Sequence, residues 1–304
     1  ADLQHSLTEA DHFEHVLDIT RRWTNDHKFR IGIQVLRGAI DAVAAGPGLS
    51  SVAETVIKVL MPTVETEFAK QHDQVAGGTL SAIAYGKLGG RELMDGSDLD
   101  IVFVYDHAPE VEASDGPKPL APSVYFMRLA QRIVSAISAP TGEGKLYEVD
   151  LRLRPSGNKG PIAVHVDGYL DYLQNSAWTW EHMALTRARP ICGNEAFQDH
   201  IRAGIADILQ QERDRNMLFT DIQDMRQRVA KEHKGESIWD IKHRSGGLVD
   251  IEFFTQALQL LYASSAPAVL STSTADALTQ LRQAKLLQND IADTLMSSLT
   301  LWQS

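Results

Sequence analysis

Residues 88–103 read LGGRELMDGSDLDIVF, in which a glycine pair precedes two alternating aspartates and an apolar run. If Asp98 begins a β-strand, the two-residue period of the strand places Asp98 and Asp100 on one face and the apolar residues on the other. Two carboxylates about 4 Å apart repel each other by roughly 4 kcal/mol at an effective dielectric constant of about 20, so a positive charge must balance them. A divalent cation such as Mg²⁺ suits this pair, because it takes oxygen ligands from one or two carboxylates and completes its shell with water and substrate phosphates.

A second alternating segment, residues 146–153, reads LYEVDLRL and predicts a neighbouring strand. Its polar face carries Glu148, Asp150, Arg152 and, just beyond the segment, Arg154. Asp150 is then placed to supply the third carboxylate of a two-metal site, and the two arginines are placed to meet phosphate oxygens. The alternative is an antiparallel sheet whose acidic residues lie on a solvated face, with Arg154 serving only to fix the following turn.

The glycine-rich segment YGKLGG, residues 85–90, follows an apolar run and predicts a turn between a strand and a helix. Glycines at such a turn allow backbone N–H groups to approach a phosphate closely, and Lys87 is placed to neutralise the phosphate charge. The alternative for Lys87 is a salt bridge with Glu92. The order of the glycines does not match the dinucleotide-binding fingerprint, and residues 142–145 lack the features of a P-loop.

The first part of the chain, residues 1–75, is predicted to be a helical leader that packs on the core. Apolar residues recur every three or four positions within residues 7–45, which predicts two amphipathic helices. The sequence Gly-Pro-Gly at residues 46–48 predicts a break, and Ser51 with Glu54 predicts the capped start of another helix.

The predicted core covers residues 76–166 and contains the strands. β-branched and aromatic runs predict strands at residues 80–85, 98–105, 146–153 and 161–166, with a helix over residues 125–137. The loop at residues 107–122 is long and polar, and we expect it to close over a substrate or to guide a target protein. Residues 167–304 show helical periodicity without a convincing strand and predict a helical bundle. The fold class is therefore α+β.

Four large side chains near the start of this bundle have two interpretations. Trp178 and Trp180 share a predicted helix with apolar residues, so we expect them to belong to the core. Arg187 and Arg189 either reach the functional site or form ion pairs elsewhere.

The composition excludes several classes of protein. The 304 residues carry 29 Lys and Arg against 40 Asp and Glu, a formal net charge of −11, which excludes a disordered tail and a basic nucleic-acid module. No run of eighteen apolar residues and no secretory signal pattern is present, so no membrane partner is expected. Cys192 is the only cysteine, which excludes an internal disulfide framework and favours the cytoplasm. The first residue is Ala, and residues 293–304 end within a helical pattern, so we expect a piece of a longer chain.

The aspartate and glycine motifs resemble those of the nucleotidyltransferase superfamily: Leu-Gly-Gly at residues 88–90, a spacer of seven residues, and Asp-Leu-Asp-Ile at residues 98–101. The resemblance narrows to the glutamine synthetase adenylyltransferase family through the runs at residues 85–90, 96–103, 146–157, 177–182 and 246–253. It implies a polymerase beta-like nucleotidyltransferase core with a small mixed sheet, preceded by helices and followed by a helical bundle.

The resemblance also implies roles for individual residues. Asp98 and Asp100 match the metal ligands, and Asp150 matches the third acid, which either ligates metal or activates the incoming hydroxyl group. The expected nucleotide-binding residues are Gly89, Gly90, Ser97, Lys87, Arg152 and Arg154. For Ser97 a simple turn hydrogen bond is the alternative.

The implied reaction is transfer of AMP from ATP, with Mg²⁺ or Mn²⁺, to a tyrosine of glutamine synthetase. The family enzyme has one half that attaches AMP and one that removes it by phosphorolysis, and the runs at residues 146–157, 177–189 and 249–252 look more like the C-terminal, attaching half. The removing half and a regulatory, effector-binding domain without its own chemistry are the alternatives. A nitrogen-signalling regulatory protein is an expected partner through the full-length enzyme, whereas an acidic chain lacks the basic channel that a nucleic-acid partner needs.

Overall fold

The computed structural model describes residues 2–232 and 241–303. Within the helical pattern predicted for residues 167–304, the sequence Lys234-Gly235 indicates an interruption, and this position lies outside the described residues. The helices and strands follow one another as α1 (Asp2–Ser6), α2 (Phe13–Leu36), α3 (Ala42–His72), β1 (Thr79–Ala84), α4 (Gly86–Gly89), β2 (Leu99–Asp106), α5 (Pro122–Ser138), β3 (Val149–Asp150), β4 (Ala163–His165), α6 (Val166–Asn175), α7 (Thr179–Leu185), β5 (Arg189–Pro190), α8 (Glu195–Leu209), α9 (Arg215–Glu232), α10 (Leu248–Tyr262), α11 (Thr274–Gln283) and α12 (Asn289–Gln303). The mixed α+β class is confirmed.

A small mixed sheet is organised around β2. One edge of β2 pairs with β1 in antiparallel orientation, and β1 in turn pairs with β5. The other edge of β2 pairs in parallel with β3 at its start and with β4 further along. The alternative of a purely antiparallel sheet is therefore wrong.

Strand β2 forms where the sequence is apolar on both faces. Leu99, Ile101 and Phe103 are fully buried in the core formed with α3 and α5, and Val102 and Val104 are fully buried on the opposite face. A strand buried on both faces reads as a continuous apolar run, and this made β2 recognisable from the sequence. The strand begins at Leu99, so Asp98 lies immediately before it.

Helix α3 runs without a break through the predicted interruption at residues 46–48, and the prediction of a new helix at Ser51 is wrong. The helix begins earlier, where the Asp41 side chain accepts a hydrogen bond of 2.7 Å from the amide of Ala44. This cap satisfies one of the first N–H groups of the helix, and the chain is interrupted at residues 37–41 instead. By length and composition α3 is apolar enough to cross a membrane, but 50% of its most apolar window is buried within the protein, and a core helix passes the same test.

Two further expectations about strands are wrong. Of residues 146–153 only Val149 and Asp150 pair with β2, and the chain turns directly afterwards. Arg152 and Arg154 therefore do not continue a strand face. The second half also contains a strand that periodicity did not indicate, because β5 is two residues long and pairs with the edge of β1.

The chain divides into two compact units. Unit 1 comprises the residues up to Tyr172 together with Arg189–Arg202, and unit 2 comprises Leu173–Ala188 together with the residues from Ala203 onward. Unit 1 contains the whole sheet and the helices of the leader, while α10, α11 and α12 contribute most of one apolar cluster in unit 2. The chain therefore passes between the units three times.

Candidate functional site

The pairing of β2 with β3 places Asp100 directly opposite Asp150. Neighbouring strands lie about 4.8 Å apart, and paired residues of parallel strands point to the same side of the sheet. Asp98 precedes Asp100 by two positions and is exposed. The acidic residues predicted from two separate segments are therefore close together at one end of β2.

The carboxylates of Asp98, Asp100 and Asp150 all contribute to the electrostatic environment of Arg152. Its pKa is raised above the usual arginine value, first by its hydrogen bonds to Asp150 and then by the charges of Asp150, Asp100 and Asp98. A single guanidinium group is thus within electrostatic reach of all three acids. Arg152 is 72% exposed, so it can leave this position for a charged substrate group.

Both carboxylate oxygens of Asp150 accept hydrogen bonds from Arg152. The Arg152 amide donates to Oδ1 at 2.8 Å, and its Nε donates to Oδ2 at 2.7 Å. Burial raises the pKa of Asp150, but the Arg152 hydrogen bonds and the charges of Arg152 and Arg154 outweigh burial and lower it. Asp150 is therefore an ionised carboxylate at neutral pH.

The carboxylate oxygens at the start of β2 meet only part of the ligand requirement of a hard divalent cation. Within residues 2–232 and 241–303, no group of three or more His, Cys, Asp or Glu side chains is close enough to hold a metal ion. Mg²⁺ does not need such a cage, since one or two carboxylates with water and substrate phosphates complete its shell. The aspartates at the start of β2 carry oxygen atoms of the kind that Mg²⁺ prefers, and the position of Arg152 shows that this acidic cluster accommodates a positive charge.

Gly86 is a residue of this site whose specific role the sequence did not reveal. It has a left-handed backbone, with φ of +51°, and a Cβ atom built on it would overlap Oδ2 of Asp100 and lie 3.0 Å from its Cγ. The backbone of the short helix α4 therefore starts directly against the Asp100 carboxyl group. The available signal was the strand-to-glycine junction at Tyr85–Gly86.

The glycines at the other end of α4 are arranged differently from a phosphate cradle. The amides of Gly89 and Gly90 donate to the carbonyls of Tyr85 and Gly86, at 2.7 and 3.0 Å. The first amides of a helix have no partner within that helix, and in α4 these amides lie beside the Asp100 carboxyl group.

Three further residues that were predicted to bind nucleotide, Lys87, Ser97 and Arg154, contact neighbouring protein groups. Lys87 Nζ lies 3.5 Å from Sδ of Met94, and the Ser97 hydroxyl accepts a hydrogen bond of 3.1 Å from the Met94 amide. Arg154 is buried and donates to the carbonyls of Leu151 and Gly160, at 2.7 and 3.1 Å. For Ser97 and Arg154 these contacts are the turn-fixing alternatives considered from the sequence.

The residues around Trp178 differ from expectation. Trp178 is 72% and Trp180 38% exposed, so the expectation that both belong to the core is wrong. Arg187 pairs with Glu252 at 3.0 Å within unit 2. Arg189 belongs to unit 1, where its guanidinium contacts the chain beside Gly89.

The loop at residues 107–121 does not lie near the carboxylates. It follows the C-terminal end of β2, whereas Asp100 lies at the beginning, so the two are separated by about 20 Å of strand. The loop is also fixed to the end of α3, because Gly116 donates to the His72 carbonyl at 3.1 Å. The expectation that this loop closes over the substrate is therefore wrong.

The comparisons with known proteins agree with these motifs. Residues 1–204 match the family model described as glutamate-ammonia ligase adenylyltransferase, and residues 217–303 match the model described as GlnD PII-uridylyltransferase. The similar relatives carry the name "Bifunctional glutamine synthetase adenylyltransferase/adenylyl-removing enzyme". The one from Brucella suis is 48% identical over 88% of this chain and 27% of its own length. Those from Rhizobium meliloti and Xanthobacter autotrophicus are 44% and 41% identical, over 96% and 100% of this chain and 30% and 31% of their own lengths. The chain thus spans less than a third of the length of these relatives.

Proposed function

The chain belongs to the glutamate-ammonia ligase adenylyltransferase family, and on this premise we propose that it transfers AMP from ATP to a tyrosine hydroxyl group of glutamine synthetase. The relatives are named adenylyltransferases, which are nucleotidyltransferase enzymes. The observation that carries the proposal is the in-register pairing of Asp100 with Asp150 beside the start of α4. A polymerase beta-like arrangement of the core is part of the same proposal.

In this proposal Asp98 and Asp100 hold Mg²⁺ or Mn²⁺. When bound, the cation neutralises phosphate charge as the reaction proceeds. The N–H groups at the start of α4 and the Lys87 ammonium group face the phosphates of ATP. Gly89, Gly90, Ser97 and Arg154 then shape the turns around the nucleotide.

Asp150 is the proposed base. A tyrosine hydroxyl group has a pKa of about 10 and is protonated at neutral pH. Asp150 accepts this proton, the phenolate oxygen forms a bond to the α-phosphorus, and the bond from that phosphorus to the bridging oxygen breaks to release pyrophosphate.

Arg152 links substrate binding to the strength of this base. While Arg152 is bonded to Asp150, it contributes to the lowered pKa of that carboxyl group and makes it a weak proton acceptor. When the exposed guanidinium turns to a phosphate group of ATP, the side-chain part of this effect is removed and the pKa of Asp150 rises, although the Arg152 amide still donates to the carboxyl group. The chain then carries a stronger base when the nucleotide is present.

The direction of the reaction rests on the resemblance of the motifs to the attaching half. Removal of AMP by phosphorolysis is the alternative, since the relatives are named for both activities. The two directions use different co-substrates, so they are distinguished by supplying ATP or inorganic phosphate.

Partners and location belong to the proposal as well. Glutamine synthetase is the proposed protein substrate, and the match of residues 217–303 to a model named for PII supports contact with a nitrogen-signalling regulatory protein. The net charge of −11 favours a protein target over a nucleic acid. We place the protein in the cytoplasm.

The experiment is transfer of label from α-³²P-ATP to purified glutamine synthetase with Mg²⁺. We expect Asp100→Asn to reduce labelling at least about 100-fold, because removal of a charged group that acts in the transition state commonly costs this much. Asp106→Asn is the matched control, since Asp106 ends the same strand at the opposite end from Asp100. Equal labelling by wild type and Asp100→Asn would exclude the catalytic assignment, and release of ADP from adenylylated glutamine synthetase with phosphate would identify the removing direction.

A further inference from the structure

We propose that Arg189 and one face of α3 form a positioning clamp for the signature turn, residues 88–93. The face consists of Gly46, Ser50 and Glu54. The inference rests on the proposed role of this turn in nucleotide binding, and none of the clamp residues is assigned a contact with substrate.

The three α3 residues are spaced four apart and therefore lie on one face of the helix. A Cβ atom at Gly46 would lie 3.3 Å from both the Arg91 carbonyl oxygen and the Glu92 Cα, so the turn passes close to the helix backbone here. One helical turn later, the Ser50 hydroxyl accepts a hydrogen bond of 3.3 Å from the Leu93 amide. The helix face thus contacts the second half of the signature turn at two successive levels.

Glu54 joins the helix face to Arg189. The Glu54 side chain is 9% exposed and forms an ion pair with Arg189, which is 17% exposed, and it also lies 3.8 Å from Arg91 Nε. The guanidinium charge of Arg189 lies far from solvent and needs a close opposite charge, which the Glu54 carboxylate supplies. The expectation that Glu54 takes part in a capping box is wrong, because the residue lies well inside α3.

Arg189 in turn holds the first half of the signature turn. It lies on β5 opposite Ala84, the last residue of β1, so its side chain reaches the chain that leaves β1. Its Nε donates to the Gly89 carbonyl at 2.8 Å, and its Nη2 donates to the Leu88 carbonyl at 3.0 Å. The last carbonyls of a helix have no partner within it, and Arg189 binds two of those of α4, one of which, that of Leu88, also accepts from the Arg91 amide at 3.2 Å.

The clamp acts on the catalytic carboxylates through α4. This helix is four residues long and spans about 6 Å, with Arg189 at its C-terminal end and the Asp100 carboxyl group against Gly86 at its beginning. Loosening one end therefore changes the position of the phosphate-facing amides relative to Asp100. Arg189 is a positioning residue.

The first test replaces the guanidinium fork. Arg189→Lys keeps the charge but cannot maintain the bonds to Glu54, Leu88 and Gly89 together. We expect kcat/KM for ATP to fall roughly 10- to 100-fold, chiefly through a higher KM. Arg226→Lys is the matched control, because Arg226 also pairs with one carboxylate, that of Asp250, and donates to one carbonyl, that of His243. Its kinetics should stay within about twofold of wild type.

The second test adds a methyl group on the helix face. Gly46→Ala places a Cβ atom against the backbone of the signature turn, whereas Gly32→Ala in α2 places one where nothing lies within 4 Å. Both changes improve helix propensity by a similar amount. We therefore expect a higher KM for ATP in Gly46→Ala alone.

A third measurement separates this inference from the proposed function. Hydrogen exchange of peptides covering residues 86–93 reports the order of the turn without any reaction. We expect faster exchange in Arg189→Lys than in Arg226→Lys and wild type. Equal exchange and equal KM in both lysine variants would overturn the clamp, even if AMP transfer is observed. Failure of wild type to transfer AMP, with faster exchange in Arg189→Lys, would overturn the proposed function and leave the clamp supported.

Discussion

At the scale of single residues, Gly86 links the sequence motif to the geometry of the site. Its positive φ and its contact with Asp100 leave no space for a side chain. We expect Gly86→Ala to displace the Asp100 carboxyl group and to reduce AMP transfer at least about 10-fold, since positions in a catalytic site tolerate little displacement. The measurement is the initial rate of label transfer.

Gly38→Ala is the control for this prediction. Gly38 has φ of +66°, but nothing lies within 4 Å of an added Cβ atom, so the variant carries similar backbone strain without a clash. Equal losses of activity in both alanine variants would attribute the effect to strain and contradict the role of Gly86.

The Asp150–Arg152 pair predicts a dependence of stability on pH. The pKa of Asp150 is lowered in the folded protein, so the pair stabilises the fold above the usual Asp pKa of about 3.9 and loses this contribution as pH falls through the lower, folded value. The contribution should stay below about 1 kcal/mol, because Arg152 is 72% exposed. Urea unfolding of wild type and Arg152→Gln should therefore differ at pH 7, and the difference should disappear as pH falls through the folded pKa of Asp150, which lies below about 3.9. A difference in unfolding free energy that grows as pH falls would contradict this account.

At the scale of elements, β2 was predictable and its neighbours were less so. The apolar run from Leu99 onward fixes β2 because it is buried on both faces. Residues 146–153 have equally clear alternation of apolar and polar residues, but only Val149 and Asp150 pair with a neighbouring strand. Arg154 instead donates hydrogen bonds to nearby backbone carbonyls. Strand β5 depends on contact with the edge of β1, which no local pattern encodes.

Helix α3 illustrates the same limit for helices. Gly-Pro-Gly at residues 46–48 is a strong local signal for a break, yet the helix continues because its apolar face is buried along its length. Gly46 is used for close contact with the signature turn. The motif residues of the site were therefore predictable, whereas Arg189 and the α3 face arise from tertiary packing.

The loop at residues 107–121 yields a prediction at this scale. A Cβ atom at Gly116 would overlap the backbone of His72, so Gly116→Ala should lower the unfolding free energy by roughly 1–3 kcal/mol. Because the loop lies at the far end of β2, the KM for ATP should not change. Thermal unfolding and ATP kinetics of this variant check both parts, and a raised KM with unchanged stability would restore a role for the loop at the site.

At the scale of the whole molecule, the two units are interleaved along the chain. The first family match ends at residue 204, close to the end of unit 1, but α7 lies within that match and belongs to unit 2. Helix α7 contacts α9 and α10, and its Met183 and Leu185 are buried. A chain of residues 1–204 would expose these side chains.

We expect this shortened chain to unfold at a lower temperature than the complete one and to bind a hydrophobic dye such as ANS. Circular dichroism melting and dye fluorescence provide the measurements. An unchanged melting temperature without dye binding would show that the family match alone is an independent folding unit.

Strands β2 and β3 bring Asp150 to the carboxylates at the start of β2, and we propose that this arrangement serves AMP transfer. The most direct measurement is the rate of label transfer from α-³²P-ATP to glutamine synthetase by Asp150→Asn, with its fold checked by circular dichroism. We expect a folded protein whose transfer rate is lower by about 100-fold or more, the usual contribution of a positioned base. A folded Asp150→Asn variant that transfers AMP at the wild-type rate would contradict it.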